Sequence, residues 1–569
     1  MDFTPTGNVV VYGNTRGTTP TLPLTGYTPT PKFFGTFGSN ISYSNSGDLF
    51  LAEIDPAGKK VNWITYIGGT GQDNAGFVSI DKNGDIYITA NTQSLDFPLA
   101  LGIPPQPNEN GIVSAKLSSN GQNIVWCKYL TSDYAKVEGS DLIPIGISNE
   151  ALILAGSVHL NGFVEAAKNS YKGTGNYNMF ITSIDKATGV PFWSVYFGAC
   201  TCPAGVSGRS IGHDDNGNIY STAVSSCNMN SDDPDLANKV NSGTTYMGGQ
   251  DALVAKFNGA TGNNIWWDMW GNINNDFYSG LSVSGNDLLL TGSYNWQTIA
   301  GGLPPSDIIL ERRNRTTGFM TNRRILAGSG GEFGRDIYED ASGNVYVCAE
   351  VASTNLITNN PGVSTYRSTL TKAVGFTDMF IGRYKGANFT PDWQTCFGSD
   401  PSMGTGGNET VFTLLVDGNG SIYAGGMTTS DNYEWVASPI QIPIKRTTGE
   451  GLSPDGALVK FSCNSTNTCS QCRVGESMDI QQSNANTIDN SIVVYPNPST
   501  DEFTVVVNGI SNGSLSIEIT DAKGMLMESK SSSAFNGEIK VGKSLGYGIY
   551  FLKVSTTNEI KTYKLIKTE

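Results

Sequence analysis

The chain has 569 residues, which is too long for one ordinary hydrophobic core, so its length predicts at least two domains. Charged residues make up only 15% of the sequence, whereas it contains 68 glycines and 10% aromatic residues. This composition is typical of β-rich extracellular proteins, because turns favour glycine and strands favour aromatic side chains. The net charge of −15 repels phosphate backbones, so no nucleic-acid partner is expected. No apolar run approaches the roughly 20 residues of a membrane-spanning helix, so no transmembrane segment is predicted.

A phrase that joins a Gly-Asn turn to a short β-branched strand occurs seven times along the chain. The first copy begins at Gly7-Asn8, and a well-preserved one is Gly84-Asp85-Ile86-Tyr87. From the first copy to the last, near Gly420, the mean period is about 69 residues. A period of this length predicts repeated structural units that stack on one another.

Three further strands accompany each copy. An alternating strand such as Asp251–Phe257 follows the Gly-Asn phrase, and another strand precedes it. A third phrase carries a tryptophan in five copies, at Trp63, Trp126, Trp193, Trp266 and Trp393, whereas the fifth-repeat copy near Arg324 lacks it. Four short strands in each of seven units predict an all-β fold with a seven-bladed β-propeller. Because the tryptophan recurs, we expect it to pack between blades.

The seventh repeat lacks its copy of the tryptophan phrase after Phe461. Propellers commonly complete one blade from both termini, so the missing strand is expected from residues before Met1. On this reading the sequence lacks its natural N-terminus, together with a signal peptide and one closing strand. The alternative is that residues after Cys463 supply the strand.

The repeat resembles the family of bacterial seven-bladed propeller repeats (SBBP-type repeats). The residues that carry the resemblance run from Asp81-Lys82-Asn83-Gly84-Asp85 through Ile86-Tyr87-Ile88-Thr89 to Asp96-Phe97-Pro98. The resemblance covers residues 1–462 and implies the fold, but it implies no particular activity.

Residues 463–490 are rich in Asn, Ser, Thr and Gln and are expected to form a linker that contains cysteines. Cys463, Cys469 and Cys472 favour a local disulfide over half of a metal site, since no further ligands complete four. Residues 491–569 then contain about seven short strands, which predict a small Ig-like β-sandwich.

This last segment resembles the type A C-terminal sorting domain of the type IX secretion system. The matching residues, in chain order, are Tyr495, Pro496, Asn497, Pro498, Gly524, Gly548, Tyr550 and Lys564. The resemblance implies export to the outer cell surface or secretion, with the translocon and a sortase as partners of this domain.

Few residues suggest chemistry. Two histidines cannot form a metal centre alone, and no nucleophile motif is present, so neither catalytic residues nor a cofactor are predicted. The Asp-rich turns, such as Asp214-Asp215-Asn216-Gly217, favour hairpin-turn chemistry, with calcium as the lesser alternative.

Residues that break the repeat are the better candidates for a ligand site. These are Trp267, Trp270, Tyr294 and Trp296, assigned to the fourth repeat, and Arg312 in the fifth. Two classes of function remain open: a binding or adhesion module for a glycan or protein ligand, and an extracellular polysaccharide hydrolase or lyase that uses carboxylates on the propeller face.

Overall fold

A computed structural model provides the structure, and its named elements of regular structure are β-strands. It describes residues 1–15, 32–35, 47–56, 60–102, 104–105, 109–131, 135–145, 149–159, 177–197, 206–226, 246–297, 305–356, 364–365, 377–398, 408–418, 420–429, 455–462, 473–474, 492–495, 500–507, 513–521, 525–535, 537–556 and 560–568. The all-β prediction is confirmed.

The chain divides into two compact units, Met1–Asp479 and Ile480–Glu569. In the described part of the first unit the strands form seven sheets. The first sheet contains β1 (Asp2–Phe3), β2 (Val9–Thr15), β3 (Lys32–Gly35), β4 (Asp48–Ile54) and β5 (Val61–Gly68). The second contains β6 (Asp73–Ile80), β7 (Ile86–Thr92), β8 (Ala100–Leu101), β9 (Gly111–Leu117) and β10 (Ile124–Thr131). The third contains β11 (Ala135–Ile145), β12 (Asn149–His159), β13 (Tyr177–Asp185) and β14 (Pro191–Phe197). The fourth and fifth contain β15 (Val206–His213), β16 (Asn218–Ser225), β17 (Asp251–Asn258) and β18 (Asn264–Trp270); and β19 (Asn275–Ser284), β20 (Asp287–Trp296), β21 (Asp307–Asn314) and β22 (Met320–Leu326). The sixth and seventh contain β23 (Glu332–Glu339), β24 (Asn344–Val351), β25 (Ser364–Thr365), β26 (Asp378–Lys385) and β27 (Thr390–Phe397); and β28 (Glu409–Val416), β29 (Ile422–Thr428), β30 (Asp455–Ser462) and β31 (Arg473–Val474).

Each of these sheets is built on four antiparallel strands in chain order, which we number first to fourth. The Gly-Asn phrase forms the second strand, the alternating phrase the third and the tryptophan phrase the fourth. In the first, second and sixth sheets an additional short strand (β3, β8 and β25) lies parallel to the fourth. The fourth strand of the seventh sheet is β31, which pairs with Phe461 and Ser462. Residues of the predicted linker thus occupy this position, as the alternative interpretation expected.

Consecutive sheets pack against each other through shared hydrophobic cores. The first strands of neighbouring sheets lie in contact, from β1 and β6 through to β23 and β28. The seventh sheet also contacts the first: the Tyr423 hydroxyl and Lys460 Nζ donate to the Pro56 carbonyl at 3.0 and 2.9 Å. The rings of Phe3 and Tyr423 meet edge to face at 5.5 Å between centroids. The last sheet therefore rests on the first.

The recurring tryptophans join neighbouring sheets. The indole N–H of Trp193 donates to the Gly259 carbonyl in the next sheet at 3.2 Å, and Trp126 and Trp266 make the corresponding bonds to Lys186 and Arg315. The ring of Trp193 also covers Gly262, whose φ is +76° and whose Cβ, if it had one, would lie 2.7 Å from the ring. The glycine in this turn therefore serves two needs: a left-handed backbone and room for the neighbour's indole.

The junction between the fifth and sixth sheets uses a different arrangement. Register places Asn322 where the other fourth strands carry tryptophan, because it pairs with Arg312 as Trp266 pairs with Lys256. In the facing turn of the sixth sheet the position of the glycine is held by Phe389, which is fully buried at a φ of +50°. Phe389 packs in the core shared by these two sheets, so the aromatic ring at this junction comes from the opposite side.

The Asp-containing turns between first and second strands are held by one carboxylate. Asp214 Oδ1 accepts the N–H groups of Asn216 and Asn218 at 3.0 and 2.9 Å, and Oδ2 accepts the Tyr220 hydroxyl at 2.9 Å. Asp340 makes the equivalent bonds in the sixth sheet. Burial acts to raise the pKa of Asp214, but the hydrogen bonds from Asn218 and Tyr220 outweigh it and lower the pKa. These oxygens are therefore engaged by the turn itself.

Pairs of acidic residues lie where one sheet meets the next. One member stands at the start of a third strand and the other at the start of the following sheet's first strand. The pairs are Asp48 with Asp73, Asp251 with Asp276, Asp307 with Glu332, and Asp378 with Glu409. At the two remaining junctions of this kind both members are uncharged, Gly111 with Ala135 and Asn178 with Val206.

The paired carboxyl groups lie close enough to affect each other. Burial and the neighbouring Asp73 raise the pKa of Asp48 to about 7, and burial raises that of Asp251 to about 6 with a contribution from Asp276. A Cβ on Gly398 would lie 2.2 Å from Asp378 Oδ1 and 3.0 Å from Glu409 Oε2. Acids thus occupy both positions at four of these junctions and neither position at the other two.

The described strands of the second unit form two sheets. The first joins β32 (Ile492–Tyr495), β33 (Phe503–Val507) and β36 (Gly537–Val541); the second joins β34 (Gly513–Asp521), β35 (Leu526–Phe535), β37 (Gly548–Thr556) and β38 (Ile560–Lys567). Both sheets contribute to one hydrophobic core, which includes Phe503, Val505, Ile519 and Leu552. Strand β36 was not predicted from the sequence.

Candidate functional site

An aromatic cluster lies where the fifth and sixth sheets meet. The Trp296 ring stands edge to face with Phe277, at 6.3 Å between centroids, and with Phe333, at 6.5 Å. All three side chains are partly exposed. The cluster therefore presents aromatic surface at the ends of strands that approach one another.

Two arginines extend this cluster at its ends. The Arg209 guanidinium lies 5.8 Å from the centre of the Phe277 ring, and that of Arg335 lies 5.8 Å from the centre of the Phe333 ring. Arg335 also forms an ion pair with Glu350. We call Arg209, Phe277, Trp296, Phe333 and Arg335 the aromatic–arginine cluster.

Three N–H groups of the aromatic–arginine cluster are buried and have no acceptor in the described part of the chain. They are Arg209 Nε, Arg335 Nε and Trp296 Nε1. A buried donor without a partner costs about 1–3 kcal/mol, so such groups are uncommon in folded proteins. The cluster therefore brings three such donors together in one place.

The repeat explains how these residues come together. Phe277 and Phe333 directly follow Asp276 and Glu332, the acidic members at the start of two consecutive first strands. Trp296 lies two residues beyond the partner of Asp307, a position that the second and sixth sheets fill with Ser94 and Ser353.

At these equivalent positions, the serines bond the neighbouring acid: Ser94 Oγ donates to Asp73 at 3.0 Å, and the Ser353 hydroxyl donates to Glu332. In the fifth sheet the backbone N–H of Asn295, at a φ of +61°, bonds Asp276 instead, at 2.8 Å. The side chain of the next residue, Trp296, is therefore not needed for the hydrogen bond to the acid.

Tyr294 and Trp296 belong to the fifth sheet, so their assignment to the fourth repeat was wrong. Both lie on β20, whose residues follow the fifth Gly-Asn turn. Trp267 and Trp270 lie on β18 in the fourth sheet, as predicted. The four residues therefore span a junction between sheets and do not form one blade's insertion.

Trp267, Trp270 and Tyr294 pack between neighbouring sheets. Trp270 stacks on Tyr294 at 5.4 Å between ring centroids, and the Arg323 guanidinium lies 3.5 Å from the centre of the Trp270 ring. Trp267 is 4% exposed and belongs to the core between the third and fourth sheets. These contacts join sheets, and they leave Trp296 as the predicted residue in the aromatic–arginine cluster.

Arg312 is buried and holds two strands together. Its Nη1 lies 2.7 Å from Asp287 Oδ2, and its Nη2 lies 2.6 Å from Glu339 Oε1 on the first strand of the next sheet. Both contacts are charge-assisted, which fixes the guanidinium between the fifth and sixth sheets.

Sequence reasoning missed Arg209, Phe277, Phe333 and Arg335. All four lie on first strands, whose copies are the least alike in sequence. The signal that could have found Phe277 and Phe333 is their shared place one residue after an acid at the start of that strand.

In the second unit, parts of the predicted sorting motif can be placed. Tyr550 is buried, and its hydroxyl donates to the Gly546 carbonyl at 2.9 Å. Gly548 begins β37, whereas Tyr495 and Lys564 lie in β32 and β38 with side chains that are not described. Pro496, Asn497, Pro498 and Gly524 lie outside the described residues.

Other predicted features can be placed only in part. The cysteines of the linker, Cys463, Cys469 and Cys472, are likewise outside the described residues. The described cysteines, Cys127, Cys348 and Cys396, are buried.

Two family models match the chain. Residues 493–568 match the secretion system C-terminal sorting domain, and residues 62–98 match the beta-propeller repeat. Both agree with the resemblances stated from the sequence. No curated protein matches the chain.

Solved structures similar to the chain have very different sequences. A Mycobacterium tuberculosis puromycin-hydrolysing peptidase is 9% identical with a TM-score of 0.32, and the match covers 76% of this chain and 58% of the peptidase. A glycoside hydrolase of family 32 from Bifidobacterium adolescentis is 9% identical with a TM-score of 0.26, over 91% of this chain and 88% of the enzyme. A fungal alcohol oxidase of the AA5 family, in complex with copper, is 11% identical with a TM-score of 0.28, over 86% of this chain and 96% of the oxidase. At these scores the similarities do not bear on function.

Across the described ranges, no helix combines the length and apolar character needed to cross a membrane.

Proposed function

We propose that this protein, which its C-terminal sorting domain directs through the type IX secretion system to the cell surface or the extracellular space, binds a ligand there through its N-terminal unit. The translocon and a sortase are the partners we infer for the sorting domain. The unit that precedes it then acts as a binding or adhesion module.

We infer that residues 1–462, completed by β31, form a closed seven-bladed propeller. The succession of four-stranded sheets and the contacts of Tyr423 and Lys460 with Pro56 support a ring in which the last blade meets the first. Residues 463–490 are the linker in this proposal. We further infer an Ig-like sandwich for 491–569, because two sheets share one core there.

The observation that carries the ligand-binding proposal is Trp296. It takes a position that other sheets give to a serine with a structural hydrogen bond, and it builds a partly exposed cluster with Phe277 and Phe333. Residues that serve only the repeat recur in it, whereas this aromatic residue departs from it. Partly exposed aromatic side chains gathered in one place are typical of binding surfaces.

The carboxylates of the sheets do not favour the hydrolase or lyase alternative. The acidic pairs recur at four junctions, and oxygens of Asp73 and Asp276 accept backbone N–H groups of the turns beside them. Such repetition supports a structural role over a single active site. We likewise infer that carboxylates such as Asp214 serve their turns and bind no calcium, and no cofactor is proposed.

Binding is tested with the full-length protein on an array of extracellular polysaccharides, measuring both retained polymer and released reducing ends. We expect binding without release, and we expect Trp296→Ala to weaken it at least about tenfold, as for the loss of a central aromatic contact. The control is Tyr338→Ala, which removes a 40% exposed aromatic from the other end of β23 and should leave binding unchanged. Release of reducing ends by the wild-type protein would support the enzyme instead.

A further inference from the structure

We propose that the ligand of the aromatic–arginine cluster is an acidic polysaccharide, whose carboxylate or sulfate groups are bound by Arg209 and Arg335. This inference rests on the proposed function and deepens it by giving the chemical class of the ligand. Three observations carry it: a bulge in six of the seven first strands, the arginines that lie on two of these bulges, and the buried donors that lack acceptors in the described part of the chain.

A β-bulge interrupts the first strand of the second to seventh sheets at an equivalent place. The register shifts fall between Ala75 and Val78 in β6, Gly208 and Ile211 in β15, Tyr278 and Gly280 in β19, and at matching points of β11, β23 and β28. A bulge adds a residue that has no place in the ladder and re-aims its side chain. Six consecutive first strands therefore carry a bulge at an equivalent place.

Side chains on four of these bulges are exposed or partly exposed. Phe77 is 37% exposed and Phe412 is 51% exposed, although both lie on strands that pack between neighbouring sheets. Arg209 and Arg335 occupy the same bulges in β15 and β23 and are partly exposed. Two arginines and two phenylalanines thus stand on equivalent bulges, and each of the four side chains is at least partly exposed.

Arg209 carries a positive charge that the described residues do not neutralise with an ion pair. The neighbours of its guanidinium include the Phe277 ring, whereas Arg335 shares its charge with Glu350. The net charge of −15 repels anions at long range. The guanidinium of Arg209 attracts only an anionic group that comes into close contact with it, because charges farther away are screened by salt. Guanidinium groups bind carboxylates and sulfates through two parallel hydrogen bonds.

The cluster also lacks acceptors of its own. Arg209, Arg335 and Trp296 each hold a buried N–H group without a partner among the described residues, and these side chains bring donors only. A ligand rich in oxygen would supply acceptors to these N–H groups. The rings of Phe277, Trp296 and Phe333 add flat apolar surfaces that fit the faces of pyranose rings. Sugar rings that bear anionic groups satisfy both requirements in one molecule.

The test compares polygalacturonate with the same polymer after methyl esterification, which keeps the sugar rings and removes the charges. We expect the full-length protein to bind the charged polymer at least about tenfold more tightly and to lose this preference at high salt. Arg209→Gln keeps a polar side chain of similar length and should weaken binding of polygalacturonate about tenfold or more. Lys82→Gln removes an equal charge from an exposed turn and should have no effect.

The outcomes separate this inference from the proposed function. Equal binding of both polymers, with loss on Trp296→Ala, overturns the acidic class and keeps the site. Equal weakening by Arg209→Gln and Lys82→Gln would show attraction by overall charge and overturn the role of Arg209. If the protein binds no polysaccharide but retains an acidic peptide through Arg209, the saccharide class is wrong. If Trp296→Ala and Arg209→Gln both leave binding intact, the proposed site itself is wrong.

Discussion

Asp214 illustrates how single side chains produce the local structure of this chain. It is buried, and it accepts two backbone N–H groups and the hydroxyl of Tyr220, which is fully buried. The residue type is required because a carboxylate offers two oxygens close to its own backbone. The recurring Asp, Gly, Asn and Tyr residues therefore belong to one kind of hydrogen-bonded turn.

Removing that carboxylate should destabilise the N-terminal unit. Asp214→Ala leaves two turn amides and the Tyr220 hydroxyl without their acceptor, so we expect a loss of about 3 kcal/mol in the free energy of unfolding. Thermal unfolding followed by circular dichroism measures it. Asp215→Ala, at the exposed neighbouring position, is the control and should change stability by less than about 0.5 kcal/mol. Similar losses in both variants would contradict the role given to Asp214.

At the scale of strands and turns, the junction of the fifth and sixth sheets departs from the rule in an informative way. Elsewhere a tryptophan on a fourth strand covers a glycine in the next sheet, as Trp193 covers Gly262. Here Asn322 and Phe389 exchange these roles, and the Arg324 guanidinium donates to the Phe389 carbonyl at 3.4 Å. Two positions 67 residues apart thus change together to keep one aromatic ring between the sheets.

This exchange predicts strong coupling between the two positions. Phe389→Gly should cost about 3–5 kcal/mol through the cavity that it leaves, and Asn322→Trp should also destabilise, because its indole meets Phe389. The double variant restores the arrangement of the other junctions and should be clearly more stable than the sum of the two losses indicates. A double-mutant cycle measured by urea unfolding gives the coupling energy. Additive losses would show that the two side chains do not share one space.

The sequence was most informative where the repeat is strict. Strands of the second, third and fourth kind, the turn chemistry of Asp214 and the packing of Trp193 between sheets follow from residues that recur. The first strands were harder, because their pattern is interrupted by bulges whose position depends on pairing and not on residue type. Arg209 and Phe333 lie on those strands, and for this reason most of the cluster could not be predicted.

On the scale of the whole molecule, the acidic pairs link stability to pH. Burial raises the pKa of Asp73 and Asp251 to about 6, and that of Asp48 and Glu332 to about 7, against 3.8 and 4.5 for the unfolded carboxyl groups. Between these values the folded protein binds more protons than the unfolded chain. Stability should therefore fall as pH rises from about 4 to about 7, by a few kcal/mol in total. Asp214 acts in the opposite sense, but only below pH 3.8, where its lowered pKa matters.

A single amide substitution tests this dependence. Asp251 accepts the Met247 N–H at 2.7 Å with Oδ2, while its Oδ1 has no hydrogen-bond partner in the described part of the chain. In Asp251→Asn the amide can face Asp276 without charge, so we expect a higher unfolding temperature than wild type at pH 8 and little difference at pH 4. Asp215→Asn serves as the matched control. A variant that is less stable than wild type at pH 8 would contradict the account of the pairs.

The exchange of Asn322 and Phe389 bears on how such a chain can evolve. Repeats that carry the tryptophan and the glycine can be duplicated or deleted one at a time, since every copy still meets a compatible neighbour. A segment that ends with the fifth sheet cannot be transplanted in this way, because Asn322 would meet a glycine and the new junction would have no aromatic ring. A segment that begins with the sixth sheet would place Phe389 against a tryptophan, which brings two rings to the junction. The order of these two sheets is thereby specified in the chain, and recombination of the repeats should keep the two sheets together.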